Sequence, residues 1–156
     1  MTADVDGHPY IATYWRDAGS AVPQYRLVWH DGTSWHMNQV GERKTPFSLS
    51  GGGTKMIPVS RPRIVSDGTS AWYIFRDTER GSRVTVARTR RLGEEPWTFT
   101  DMTSFSVDAW EPVVDVSLWN SARRLDIFVQ TTAQGDGERV AGDAAESTPV
   151  YVLTCP

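Results

Sequence analysis

The sequence predicts an all-β protein made of repeated four-stranded antiparallel units. Short aromatic or β-branched runs recur along its 156 residues, whereas no 3.6-residue apolar stripe longer than two turns appears. Seven Trp, thirteen Gly and nine Pro are the composition of many short strands joined by tight turns. A third observation is repetition: Asp31-Gly-Thr-Ser-Trp35 and Asp67-Gly-Thr-Ser-Ala-Trp72 are near copies, each a turn leading into a Trp-bearing strand.

The elements follow in order. Residues 9–15, 25–30 and 35–40 are the first strand runs, with Asp31-Gly32 supplying the positive φ of a tight hairpin between the last two. Residues 61–66, 71–76, 83–89 and 97–101 come next, and alternation is clear in Arg83-Val-Thr-Val-Ala-Arg88. Residues 112–118, 125–130 and 149–154 complete the set. Ser60-Arg61-Pro62 and Trp110-Glu111-Pro112 each open an apolar strand, fifty residues apart. Units of that length with four strands are the pattern of propeller blades.

Labelling blade strands A to D from the centre outward sorts the connections. Residues 61–101 form one complete blade, 9–40 strands B to D of the blade before, and 112–154 strands A to C of the blade after. The short turns 31–34, 67–70, 90–96 and 119–124 then share one face. The longer connections 16–24, 41–60, 77–82, 102–111 and 131–148 share the other, where binding or catalysis is expected. About two and a half blades are fewer than a closed ring needs, so the chain is expected to be a β-propeller fragment whose missing blades belong to the same protein.

Charge and cysteine narrow the function. Sixteen basic against nineteen acidic residues give a net charge of −3, and no basic block suggests a nucleic-acid partner. No run reaches the ~18 apolar residues of a spanning helix. Cys155 is the single cysteine, so neither an intrachain disulfide nor a Cys-based metal site is available. Residues 1–7 are polar and lack the basic and apolar regions of a signal peptide. Gly51-Gly-Gly53 lacks P-loop spacing and reads as a flexible loop.

Several segments resemble the BNR-4 repeat family of β-propellers. They are Gly7-His-Pro-Tyr-Ile-Ala-Thr-Tyr14, Thr45-Pro-Phe-Ser-Leu-Ser-Gly-Gly-Gly-Thr-Lys55, Ser60-Arg-Pro62, Phe75-Arg-Asp77, Glu79-Arg-Gly81, Trp110-Glu-Pro112, Asp115, Trp119 and Gln134-Gly-Asp-Gly-Glu138. In order, they resemble the C-terminal part of that domain. The resemblance implies a secreted, extracellular or periplasmic carbohydrate-active protein of a glycan-degrading bacterium, with a polysaccharide or oligosaccharide as ligand and no cofactor. Its sharpest form is a lyase of uronate-containing polysaccharide. The alternatives are a non-catalytic glycan-binding propeller and a sialidase-type glycoside hydrolase. The adjacent Asp and Gly of both twin turns depart from the sialidase Asp-box, Ser-x-Asp-x-Gly-x-x-Trp.

On the long-loop face the candidate substrate-binding residues are Arg61, Arg76, Asp77, Arg80, Glu111, Asp115, Gln130 and Gln134. An arginine fork suits a sugar carboxylate, and carboxylates and amides suit glycan hydroxyls. Each has a structural alternative: Arg76 with Asp77 as an ion pair, Arg61 and Glu111 as inter-blade bridges, Asp115 and Gln130 as loop pins. Trp15 and Trp110 are either blade packing or sugar platforms. His8, His30 and His36 sit toward the short-turn face, so a lyase base belongs to missing blades or is a tyrosine, for which Tyr25 is weighed against a structural role. No cluster has metal-ligand spacing, and no metal is expected.

Overall fold

The computed structural model describes residues 1–48, 50, 55–135 and 147–155. Three antiparallel sheets account for nearly all of its regular structure. The first contains β1 (Thr2–Ala3), β2 (Pro9–Trp15), β3 (Gln24–His30) and β4 (Trp35–Gln39) in that spatial order. The second orders β5 (Arg63–Ser66), β6 (Ala71–Asp77), β7 (Arg83–Thr89) and β8 (Thr98–Asp101), with a single 3₁₀ turn at Thr78–Arg80. The third holds β9 (Val113–Val114), β10 (Leu125–Val129) and β11 (Tyr151–Cys155), with α1 (Val116–Ala122) between its first two strands.

The sheets stack like successive blades, and the middle one is buried on both faces. Alternate residues of β5 and β6 therefore enter different cores. Ile64, Tyr73 and Phe75 join Tyr10, Tyr25, Leu27 and Trp29 of the first sheet. Val65, Ile74, Val84 and Val86 join Val114, Trp119, Leu125, Ile127 and Val129 of the third. This explains why Ala71-Trp-Tyr-Ile-Phe75 is continuously apolar rather than alternating. Long polar side chains tie neighbouring sheets: the Tyr73 hydroxyl donates to the Thr13 carbonyl at 2.7 Å, and the Trp119 indole to that of Ser66 at 3.3 Å.

Three expectations need correction. The first unit has four strands, because Thr2 and Ala3 pair with Tyr10 and Pro9; two residues carry too little pattern to announce a strand. Residues 112–118 are not one strand, since Asp115 turns the chain into α1 by accepting the Leu118 amide at 2.9 Å, and α1 occupies much of the expected 119–124 turn. The strand expected from residue 61 begins at Arg63, because Pro62 has no N–H for the ladder and the Arg61 amide donates elsewhere. Gly51 to Gly53, and residues 136–138 of the motif beginning at Gln134, lie outside the described residues.

The twin turns use one chemistry. In each, the aspartate Oδ1 accepts the amides two and three residues on, at 2.7–2.9 Å, and the following glycine has φ +95° (Gly32) or +93° (Gly68). A Cβ at Gly32 would meet His8 Nε2 at 2.8 Å, whereas at Gly68 its nearest neighbour would be Asp4 at 3.7 Å. Alanine at Gly68 is expected to cost about 1–2 kcal/mol from backbone strain alone, and alanine at Gly32 measurably more. Chemical denaturation of both variants checks this; equal losses would mean that the His8 ring simply swings aside.

Candidate functional site

The connections at the C-terminal ends of β2 and β6, and those leading into β5 and β9, meet at one end of the stack. Tyr14 comes from the end of β2, Arg61 from the approach to β5, Arg76 from the end of β6 and Glu111 from the approach to β9. The Arg61 amide donates to Glu111 Oε2 at 2.7 Å, which joins the second sheet to the third. Arg76 is only 3% exposed. Its guanidinium donates to the carbonyls of Ile57 (3.1 Å) and Val59 (3.3 Å), while Nε, buried, has no hydrogen-bond partner. Burial pulls the Arg76 pKa below its ordinary value, against the opposing attraction of Glu111 and of the Tyr25 and Asp77 side chains.

Tyr14 experiences the charges of the other three residues. Burial and the Glu111 carboxylate raise its phenol pKa, while Arg61 and Arg76 oppose that rise. The ring is half-buried, 5.9 Å from Phe47 and edge-on to Tyr25 at 6.4 Å. It lines a cavity of about 280 Å³ with Trp15, Arg16, Pro23, Phe47, Ser48 and Ser50. The sequence did not mark Tyr14 as functional, because an aromatic residue inside a strand reads as packing. Its place at the end of strand B, equivalent to Arg76 one sheet on, was the usable signal.

The other candidates go elsewhere. Asp77 pairs with Arg43 rather than with Arg76: Arg43 Nε lies 2.6 Å from Asp77 Oδ2, and both side chains are buried. Arg43, overlooked in the sequence, also donates to the carbonyls of Pro23 and Thr45. Arg80 is bound to Asp101 at 2.8 Å and to the Thr85 hydroxyl. Asp115 caps α1, and Gln130 donates to Thr148 at 2.9 Å. Gln134 is exposed. Trp110 packs on the second core and donates to the Phe128 carbonyl, whereas Trp15 keeps a cavity-lining position. The Tyr25 hydroxyl donates to the Arg76 carbonyl at 3.3 Å, a structural bond between sheets.

Opposite this end lie the histidines. His36 contacts Asp31 at 2.6 Å, and His8 contacts Asp4 at 3.1 Å. Asp4, Asp6 and His8 bring three potential ligand atoms within 4.8 Å of one another. The Asp4 carboxylate is already filled, however, by the amides of Asp6 and His8, the His8 ring and the Tyr10 hydroxyl.

Several carboxylates are held ionised by the fold. Burial opposes ionisation of Glu79 and Asp101 but is outweighed. Amides of Thr45 and Lys44 and the Arg43 charge stabilise Glu79, and the Thr85 hydroxyl and Arg80 stabilise Asp101. Asp4 is likewise lowered by His8 and Asp6 against its own desolvation. Groups with depressed folded pKa values contribute stability above their unfolded pKa and lose it as pH falls. Thermal stability is therefore expected to hold above about pH 5 and fall progressively below about pH 4. A melting temperature unchanged to pH 3 would contradict this.

The fold defines a class: stacked, blade-like antiparallel sheets in which the ends of β2 and β6 and the approaches to β5 and β9 meet at one end. Beyond that class, the chain matches no protein-family model and no curated protein.

Proposed function

We propose that the chain is part of a secreted carbohydrate-active β-propeller that cleaves uronate-containing polysaccharide by β-elimination. The observation that carries this reading is the convergence of Tyr14, Arg61, Arg76 and Glu111 from three consecutive sheets. Elimination draws negative charge onto the uronate carboxylate as a base outside this cluster takes the adjacent C5 proton, so fixed positive charge beside it lowers the barrier. Arg61 is exposed and able to grip that carboxylate, and Arg76 adds a buried cation whose position is fixed by two carbonyls. Tyr14, kept protonated by its raised pKa, suits the donor that protonates the departing glycosidic oxygen.

A second reading has its own support. Among the described residues, His8, His30 and His36 all belong to the first sheet's far end, leaving the cluster without an imidazole base. A non-catalytic glycan-binding propeller needs the same cationic, hydroxyl-bearing face and no base. Incubation with polyuronides of different composition separates the two. Ultraviolet-absorbing unsaturated uronate products support the lyase; retention on immobilised polyuronide without such products supports the binding module. Neither products nor retention would remove both.

A further inference from the structure

At the opposite, short-turn end, the second and third sheets enclose a pocket of about 200 Å³ lined by Asp67, Trp72, Arg88, Trp119, Arg123, Leu125 and Cys155. Two arginines converge on it from different elements. Arg88, near the end of β7, lies over the Trp72 ring at 4.9 Å. Arg123, just past α1, lies over the Trp119 ring at 5.7 Å. The two indoles meet edge to face at 4.9 Å, and Trp119 is only 3% exposed. Both guanidiniums are thus placed by rigid aromatic surfaces rather than by carboxylates. Among the described residues neither guanidinium has an ion pair or hydrogen bond, unlike those of Arg26, Arg43, Arg80 and Arg124. Asp67, on the rim, uses Oδ1 for the Thr69 and Ser70 amides and leaves Oδ2 without a donor among the described residues.

We propose that this pocket is a second ligand site, taking one sugar ring that carries a carboxylate or sulfate. The two guanidiniums are exposed and, among the described residues, without an ion pair, so they are free to hold an oxyanion by charge-assisted hydrogen bonds. Asp67 Oδ2 calls for a hydroxyl donor on the same ligand. The half-buried Trp72 gives the pocket an apolar wall above the buried Trp119 and Leu125, which suits the C–H groups of a ring, and the volume admits a single ring rather than a chain. The site is at the far end of the sheets from Arg76 and Glu111 and does not rest on the lyase reading. A chain that cleaves nothing still fills it.

Cys155 makes the proposal testable, because it lines the pocket and is the single cysteine of the sequence. Alkylation of the full chain with anionic iodoacetate and neutral iodoacetamide gives a rate ratio that reports local potential. Any change in thiol acidity slows both reagents alike and cancels. The double variant Arg88→Gln, Arg123→Gly is expected to lower that ratio about three- to ten-fold at low salt, and less at high salt. Glycine suits residue 123 because its φ is +54°, so folding is relieved rather than strained there. Glucuronate and a sulfated monosaccharide should each slow alkylation of the wild type by iodoacetamide, while glucose should not. Protection by only one of the two acids identifies the oxyanion. Tryptophan fluorescence should respond to the same ligands in the wild type and not in the double variant. An unchanged alkylation ratio, equal protection by glucose, or a fluorescence response that is absent or identical in both proteins would each overturn the proposal.

Discussion

Replacing Arg43 with alanine is expected to remove about 3–5 kcal/mol of stability, a large share of the ~5–15 kcal/mol that holds a domain folded. Arg43 and Asp77 are 5% and 2% exposed. The guanidinium gives Nε to Asp77 Oδ2 at 2.6 Å and a second nitrogen to Oδ1 at 3.4 Å. It also meets the Pro23 and Thr45 carbonyls, approaches Glu79 at 3.6 Å and lies 5.1 Å over the Phe47 ring. Alanine strands a buried carboxylate, left with the Glu79 amide and the neutral Tyr25 hydroxyl beside it and no opposing charge of its own, and desolvation of that charge sets the size of the loss. Arg43→Lys keeps the charge without the fork and should fall between alanine and wild type. Arg91→Ala, removing an exposed partner of Glu94 at 3.4 Å, should change little. Urea denaturation of the three variants ranks them. If Arg43→Ala stays within about 1 kcal/mol of wild type, water reaches Asp77 and the pair is not the inter-sheet brace described above.

That brace shows where sequence reading stopped. The blade-like order was legible because β-strands announce themselves locally: alternation in β7, an unbroken apolar run in β6, and Asp-Gly turns feeding β4 and β6. Such signals act over a few residues. Arg43 and Asp77 are 34 positions apart, and nothing near Arg43 marks it as buried, so the neighbouring Arg76 was the natural partner to expect for Asp77. The error over residues 112–118 has a different cause. Val113, Val114 and Val116 favour extended structure, yet Asp115 satisfies one free amide of the helix's first turn, that of Leu118, and Trp119 gains burial by turning inward against Ser66 and Trp72. Tertiary packing outweighs propensity there. The approach of Arg61, Arg76 and Glu111 follows from strand topology and was expected, whereas Tyr14 needed the real spacing between sheets to join them.

Tyr14→Phe is the substitution expected to separate chemistry from structure most sharply. The hydroxyl makes no hydrogen bond with any described residue, and the ring contacts with Phe47 and Tyr25 survive its removal. Stability should therefore stay within about 0.5 kcal/mol of wild type, since no paired polar group is orphaned. Under the lyase reading, the rate of unsaturated-product formation should fall about a hundred- to ten-thousand-fold, the range for loss of a positioned proton donor. Arg61→Ala should weaken polyuronide binding about ten- to a hundred-fold by removing a charge-assisted contact. Arg76→Ala differs from both, because that guanidinium braces the carbonyls of Ile57 and Val59 from a buried position and its loss should lower stability as well as turnover. The pH profile supplies an independent mark. Burial and Glu111 raise the Tyr14 pKa, so the donor stays protonated through neutral pH, and the alkaline limb of wild-type turnover should appear only in strongly alkaline solution. Whatever activity Tyr14→Phe retains should lack that alkaline limb. Full turnover in Tyr14→Phe would remove the phenol from the mechanism. A variant that neither melts differently nor loses polyuronide affinity, from a wild type that forms no product, would leave Arg61 as a binding group and decide for the non-catalytic propeller.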